Sequence, residues 1–333
     1  MRNPELREPA NSRPALLFPG QGSQAPGMGR DLSSVVESVR SLFDEADRAL
    51  GYSLSRLCFE GPEDELRLTA NAQPAILTVS VAAARTLAGR GIHAGAVAGH
   101  SLGEYSALVT AGALSFQDAV VAVHKRGRYM QEAVPVGEGT MAAIMGIDMA
   151  AVEELCADAT CGPSSLVEVA NDNAPGQVVI AGHTSAVERA IEMAPGRGAK
   201  RAVQLPVSAP FHCSLMRPAR ERLEVDLKVT TFNDLEVPLV NNVEAREIRS
   251  GAEARYALIR QVTARVRWTE SVRRLVEMGF TTAIEAGPGQ VLAGLAKRID
   301  RNLKVVPAGD PSGIEKAVLT IQGGSESRAG QTS

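Results

Sequence analysis

Apolar residues from Pro14 to Phe18 form a short continuous run that stops at Pro19-Gly20, the pattern of a buried strand entering a turn. Helical spacing of apolar positions follows at 31–50 and 73–90. The small apolar run Ala94 to Ala98 predicts a second strand, and helical spacing resumes at 102–111 and 116–132. Strands alternating with helices in this way predict an α/β layer fold. Between 137 and 207 the rhythm changes. Thr140 to Ile147 reads as a strand, Ala150 to Ala157 as a helix, and Leu166 to Ala170 and Gln177 to Ala181 as strands joined at Asn173-Ala174-Pro175-Gly176. A helix at Ser185 to Met193 and a strand at Lys200 to Leu205 complete a βαββαβ series, the ferredoxin-like unit. Helical patterns near 214–228 and 251–278 then lead to a final strand, Thr282 to Glu285, before Gly287-Pro288-Gly289.

This pattern divides the chain into a larger part, 14–136 with 207–306, and an insert, 137–206. Residues 1–13 and 322–333 are polar and aperiodic and read as flexible termini. The N-terminal residues have no signal-peptide pattern, and no apolar run is long enough for a membrane span. A net charge of −3 and an aromatic content of 4% argue against a nucleic-acid surface, which needs basic excess and stacking rings. The four cysteines, Cys58, Cys156, Cys161 and Cys213, lack metal-ligand spacing, so no metal site is expected. Their usage suits reduced thiols and a cytoplasmic setting.

Gly99-His100-Ser101-Leu102-Gly103 lies between a candidate strand and a candidate helix. In that context G-x-S-x-G places a serine on a tight strand-to-helix turn, with small residues where the two elements pass closely. Ser101 is the candidate nucleophile and needs a base. Of five histidines, His212, in a loop leaving the insert, is the best placed by elimination. His100 reads as a packed or positioning side chain, and no acid stands out to orient the base. Ser115 to Asp118 resembles a helix N-cap, and Gly112 a helix stop. A helix rising ~15 Å from Ser101 and an antiparallel return would bring Arg126 level with the serine. Arg126 shares an apolar stripe with Ala119, Val123 and Met130, so it needs an anion there. Either a structural ion pair or a substrate carboxylate would supply one.

The chain resembles malonyl-CoA:acyl carrier protein transacylases and the acyltransferase domains of polyketide synthases. The motifs are Phe18-Pro19-Gly20-Gln21-Gly22-Ser23-Gln24, Gly99 to Tyr105, Asn173 to Gln177, Phe211-His212, Asn241-Asn242 and Glu285 to Gly289, and the similarity runs from about 14 to 305. The resemblance implies an α/β-hydrolase-like core with a ferredoxin-like insert and a site between them. It implies Ser101 as acyl carrier, His212 as base, and the Gln21 and Leu102 N–H groups as oxyanion hole. It assigns Arg126 to the malonyl carboxylate, the Gln261 main chain to support of the histidine, and Asn171 and Asn173 to the cleft. Phe211 and Leu102 match the malonyl-selective pattern. Malonyl-CoA would be the donor, and the phosphopantetheine of an acyl carrier protein the acceptor, with no permanently bound cofactor. A cytoplasmic monomer serving fatty acid synthesis is the expectation. A free-standing polyketide acyltransferase, a thioester hydrolase and a docking module without activity are the alternatives. Arg197, Lys200, Arg201, Arg265, Arg267, Arg273 and Arg274 are candidates for receiving an acidic carrier.

Overall fold

The computed structural model describes residues 13–207 and 209–329. The strands are β1 (Ala15–Phe18), β2 (Ala96–Gly99), β3 (Gly139–Met145), β4 (Val167–Ala174), β5 (Gln177–His183), β6 (Arg201–Gln204), β7 (Leu239–Val240), β8 (Glu247–Ile248), β9 (Val266–Arg267), β10 (Thr282–Ala286) and β11 (Lys304–Ala308). One sheet has the order β11-β10-β1-β2-β7-β8, parallel from β11 to β7 with β8 antiparallel at the edge. β1 and β2 are buried along their whole length, which is why both read as unbroken apolar runs rather than alternating ones. The second sheet, β6-β3-β5-β4-β9, pairs its first four strands antiparallel.

Several sequence expectations change. The helical stretch at 31–50 is two helices, Arg30–Val35 and Glu37–Leu50, separated by the extended residue Val36. The stretch at 251–278 is also two, Gly251–Gln261 and Trp268–Glu277. Between them β9 leaves the larger part of the sequence and pairs parallel with β4, Asn171 opposite Val266. Thr282–Ala286 is not the last strand, because β11 pairs with it and a helix, Pro311–Ala329, follows. That helix enters the segment expected to be a flexible end, while residues 1–12 and 330–333 lie outside the described residues.

The helix Thr69–Gly89 starts earlier than its periodicity suggested and contains Pro74. A proline cannot donate to the carbonyl four residues back. Here His124 Nδ1 takes that carbonyl, Ala70 O, at 2.9 Å. His124 comes from helix Phe116–Glu132, whose N-cap Ser115 accepts the Asp118 N–H at 3.0 Å. The two helices approach so closely at Gly127 that an added Cβ would lie 2.5 Å from Thr69 O. Arg126, next in sequence to that contact, is thereby drawn against the longer helix.

Candidate active site

β2 runs into helix Gly103–Thr110 through a turn in which Ser101 adopts φ 52°, a left-handed conformation few non-glycine residues hold. A Cβ on Gly99 would lie 1.9 Å from Gly103 C, and one on Gly103 2.0 Å from Phe18 O. Only glycines permit this crossing of strand and helix. Asn242 ties the turn down: its Oδ1 accepts the Ser101 N–H and its Nδ2 donates to Gly99 O, both at 2.7 Å.

Ser101 Oγ lies 2.7 Å from His212 Nε2. His212 Nδ1 lies 2.9 Å from Gln261 O. A carbonyl only accepts, so Nδ1 carries the proton and Nε2 is left to accept the serine hydroxyl. The orienting group is thus a main-chain oxygen at a helix end, where carbonyls lack intrahelical partners. Burial, and then the Arg126 charge, lower the His212 pKa to about 3, so the imidazole is neutral at pH 7.

Arg126 is 2% exposed. Its Nη1 donates to Gln73 Oε1 at 2.8 Å, and its Nη2 to Gln261 Oε1 at 2.9 Å and Ser101 Oγ at 3.1 Å. Among the described residues its Nε has no partner and no carboxylate forms an ion pair with it. The Tyr105 ring lies 5.8 Å from the guanidinium carbon. Glu104 acts on the guanidinium through its charge but is not hydrogen-bonded to it; a buried cation whose hydrogen bonds all go to neutral groups is stabilised by an incoming anion.

Ser101, His212 and Arg126 face one cavity of about 460 Å³, which Gln21, Leu102, His100, Phe211, Asn171 and Asn173 also line. Among the described residues neither the Gln21 nor the Leu102 N–H has an acceptor. Both are free to meet a developing oxyanion beside the helix N-terminus. His100 Nε2 donates to Asn173 Oδ1 at 2.7 Å and the ring meets Trp268 edge-on, so it braces the cavity wall. Gln261 stands behind the cavity rather than in it.

Sequence reasoning missed Gln73, and gave no role to Asn242 or to Glu104. Glu104 is fully buried, and its Oε2 accepts from Asn242 N at 2.9 Å and Gln261 Nε2 at 3.0 Å. Asn242 and Glu104 lay inside recognisable motifs. Gln73 carried no distinct signal, since its helix also holds Asn71, Thr78, Ser80 and Arg85. The proposed basic surface is largely neutralised: Arg197 pairs with Glu154 and Asp158, Arg265 with Glu153, Arg267 with Glu270, and Arg274 with Glu247 and Glu277. Lys200, Arg201 and Arg273 are exposed and form no ion pair among the described residues. Among the described residues no group of His, Cys, Asp and Glu is arranged to hold a metal, and no helix is long and apolar enough to cross a membrane.

Residues 15–309 match the family described as acyl transferase domain. The malonyl CoA-acyl carrier protein transacylase of Bacillus subtilis (strain 168) is 50% identical over 311 residues, 93% of this chain and 98% of that protein. The solved structure of the malonyl CoA-acyl carrier protein transacylase from Coxiella burnetii superposes with a TM-score of 0.89 at 44% identity, covering 91% of this chain and 96% of that one. A malonyl-transacylase solved in complex with a type II PKS acyl-carrier protein superposes equally well, with a TM-score of 0.89 at 45% identity over 92% of this chain and 99% of that one.

Proposed function

The chain belongs to the malonyl-CoA:acyl carrier protein transacylase family of acyltransferases, and we propose that Ser101 carries the malonyl group between the two thiols in a ping-pong cycle. The protein is an S-malonyltransferase whose donor is malonyl-CoA and whose acceptor is the phosphopantetheine thiol of acyl carrier protein. His212 Nε2 takes the Ser101 proton as Oγ attacks the thioester carbonyl. The Gln21 and Leu102 N–H groups hold the tetrahedral oxyanion, each donor contributing about 2.7–4 kcal/mol. Collapse of the intermediate breaks the carbon–sulfur bond, and the His212 imidazolium returns the proton to the departing coenzyme A thiolate. In the second half, the carrier's thiol gives its proton to His212 and attacks the malonyl ester. Ser101 Oγ leaves and recovers that proton.

One observation carries this reading: a buried Arg126, with no carboxylate hydrogen-bonded to it among the described residues, stands 3.1 Å from the nucleophile. A malonyl group esterified to Oγ ends in the carboxylate that such a guanidinium needs. An uncharged acyl chain, as in a simple hydrolase, gives it no carboxylate to bind. Intact-protein mass after brief exposure to malonyl-CoA tests the proposal. A malonyl adduct on the wild type, absent in Ser101→Ala and discharged by holo acyl carrier protein, is the expected result. Steady release of free malonate without transfer would overturn it.

The reading divides the chain as a catalytic core, 14–136 with 207–306, and an insert, 137–206; the two sheets, whose strands segregate almost along those lines, support it. It includes a cytoplasmic monomer, in keeping with the free thiols of Cys58, Cys156, Cys161 and Cys213. Supply of extender units to fatty acid synthesis is the role we assign. The likeness to a transacylase in complex with a polyketide carrier favours a polyketide carrier protein as the second acceptor to assay. Lys200, Arg201 and Arg273 are the cations we assign to carrier docking, since among the described residues no ion pair neutralises their charge.

A further inference from the structure

Glu104 occupies the first turn of the helix that follows the nucleophile, fully buried and outside the cavity. A carboxyl group there is costly unless it is hydrogen-bonded to a purpose. Only one of its oxygens is used. Oε2 accepts from the Asn242 N–H and from Gln261 Nε2, while Oε1 has no partner among the described residues.

The Gln261 amide has two ends of nearly equal shape, and its partners decide which end faces Arg126. Nε2 meets three acceptors, Ser101 O at 3.0 Å, Glu104 Oε2 at 3.0 Å and Asn242 Oδ1 at 3.3 Å. Oε1 meets one donor, Arg126 Nη2, at 2.9 Å. Rotating the amide by half a turn would set an NH₂ against the guanidinium and an oxygen against three oxygens. Of the three acceptors, Glu104 alone is a carboxyl group and alone comes from the helix behind the nucleophile. We propose that Glu104 is a positioning residue: by accepting from Gln261 Nε2 it fixes the amide so that Oε1 holds the Arg126 fork toward the acyl carboxylate.

The groups facing Glu104 fit this role. Burial lifts its carboxyl to about 7, and Glu244 adds to the rise, while the Asn242 N–H, Gln261 and the Arg126 charge pull it down. A proton that binds has the unpartnered Oε1 as its place, so Oε2 remains an acceptor in both charge states. Reach therefore matters more than charge. The proposal rests on the malonyl-transfer reading and deepens it, because it makes Glu104 a determinant of carboxylate recognition rather than of serine reactivity.

The test uses two conservative variants of the full chain. Glu104→Gln keeps an acceptor at the same reach and removes the charge; Glu104→Asp keeps the charge and withdraws the acceptor by one methylene. Covalent loading is followed by intact mass with malonyl-CoA and with acetyl-CoA, which has no carboxylate for Arg126. A fluorophosphonate probe reports the Ser101–His212 pair independently. The expected result is that Glu104→Asp loses malonyl loading by about 10- to 100-fold while acetyl and fluorophosphonate labelling change by less than about 3-fold, and that Glu104→Gln stays within about 3-fold on all three. Equal losses on both donors, or the reverse order of the variants, would overturn the positioning role. So would malonyl loading in Glu104→Asp equal to wild type, and in that case the transfer reading would stand. If the wild type itself took no malonyl adduct, the transfer reading would fall first.

Discussion

Replacing Arg126 by Ala asks whether the guanidinium acts on the acyl carboxylate or on the serine. Arg126 is 2% exposed, and its fork is held by Gln73, Gln261 and Ser101. Truncating one partner of a buried charge pair costs about 2–5 kcal/mol, or about 30-fold to several thousand-fold in rate. The cavity of about 460 Å³ admits water to the site, so the middle of that range, about 10²- to 10³-fold, is expected for malonyl loading. Acetyl loading is subject to two opposed effects. Loss of the 3.1 Å donor to Oγ disfavours the serine oxyanion. Removal of the positive charge that depresses His212 makes the base stronger. A change under about 10-fold follows from their opposition. The assay is rapid-quench loading with each donor, read by intact mass. Losses of equal size for malonyl and acetyl would refute the carboxylate assignment and leave Arg126 as a serine-activating group.

Gly103→Ala should abolish loading and lower the melting temperature, because the new Cβ would lie 2.0 Å from Phe18 O, which is backbone and cannot yield. A variant that loads normally would show that the elbow is looser than its contacts indicate. His212 has a folded pKa of about 3, below the ordinary value of 6.5. Between those values the unfolded chain binds the proton and the folded chain does not, so stability falls as pH drops from about 6.5 toward 3. His212→Gln should lose less stability than wild type over that interval in acid denaturation, and an equal loss in both would contradict the buried neutral imidazole. In Arg126→Ala the His212 pKa should rise, moving the acid limb of acetyl loading to higher pH; a limb shifted downward would be inconsistent with Arg126 depressing it. Phe211→Ala should improve methylmalonyl relative to malonyl loading by about 1–3 kcal/mol, measured by competition between the two donors. No change would remove the ring from selectivity.

The sequence determined whatever depends on neighbours along the chain. The alternation of strands and helices, the βαββαβ series, the Ser115 cap and the glycine-flanked turn at Ser101 were legible because each is set by local spacing or by a backbone that only glycine permits. Local pattern did not separate Gly251–Gln261 from Trp268–Glu277, since both share helical spacing. What breaks them is long-range: the Gln261 carbonyl turns to His212, and Val266 pairs beside Asn171. The polar assembly behind the nucleophile was likewise decided by tertiary structure alone. Gln261 meets Arg126 across 135 positions and Ser101 across 160, and Gln73 meets Arg126 across 53. An amide carries no mark in the sequence of which end will face a cation. That choice is made only when folding excludes water and every buried donor must find the acceptor that the packed elements leave it.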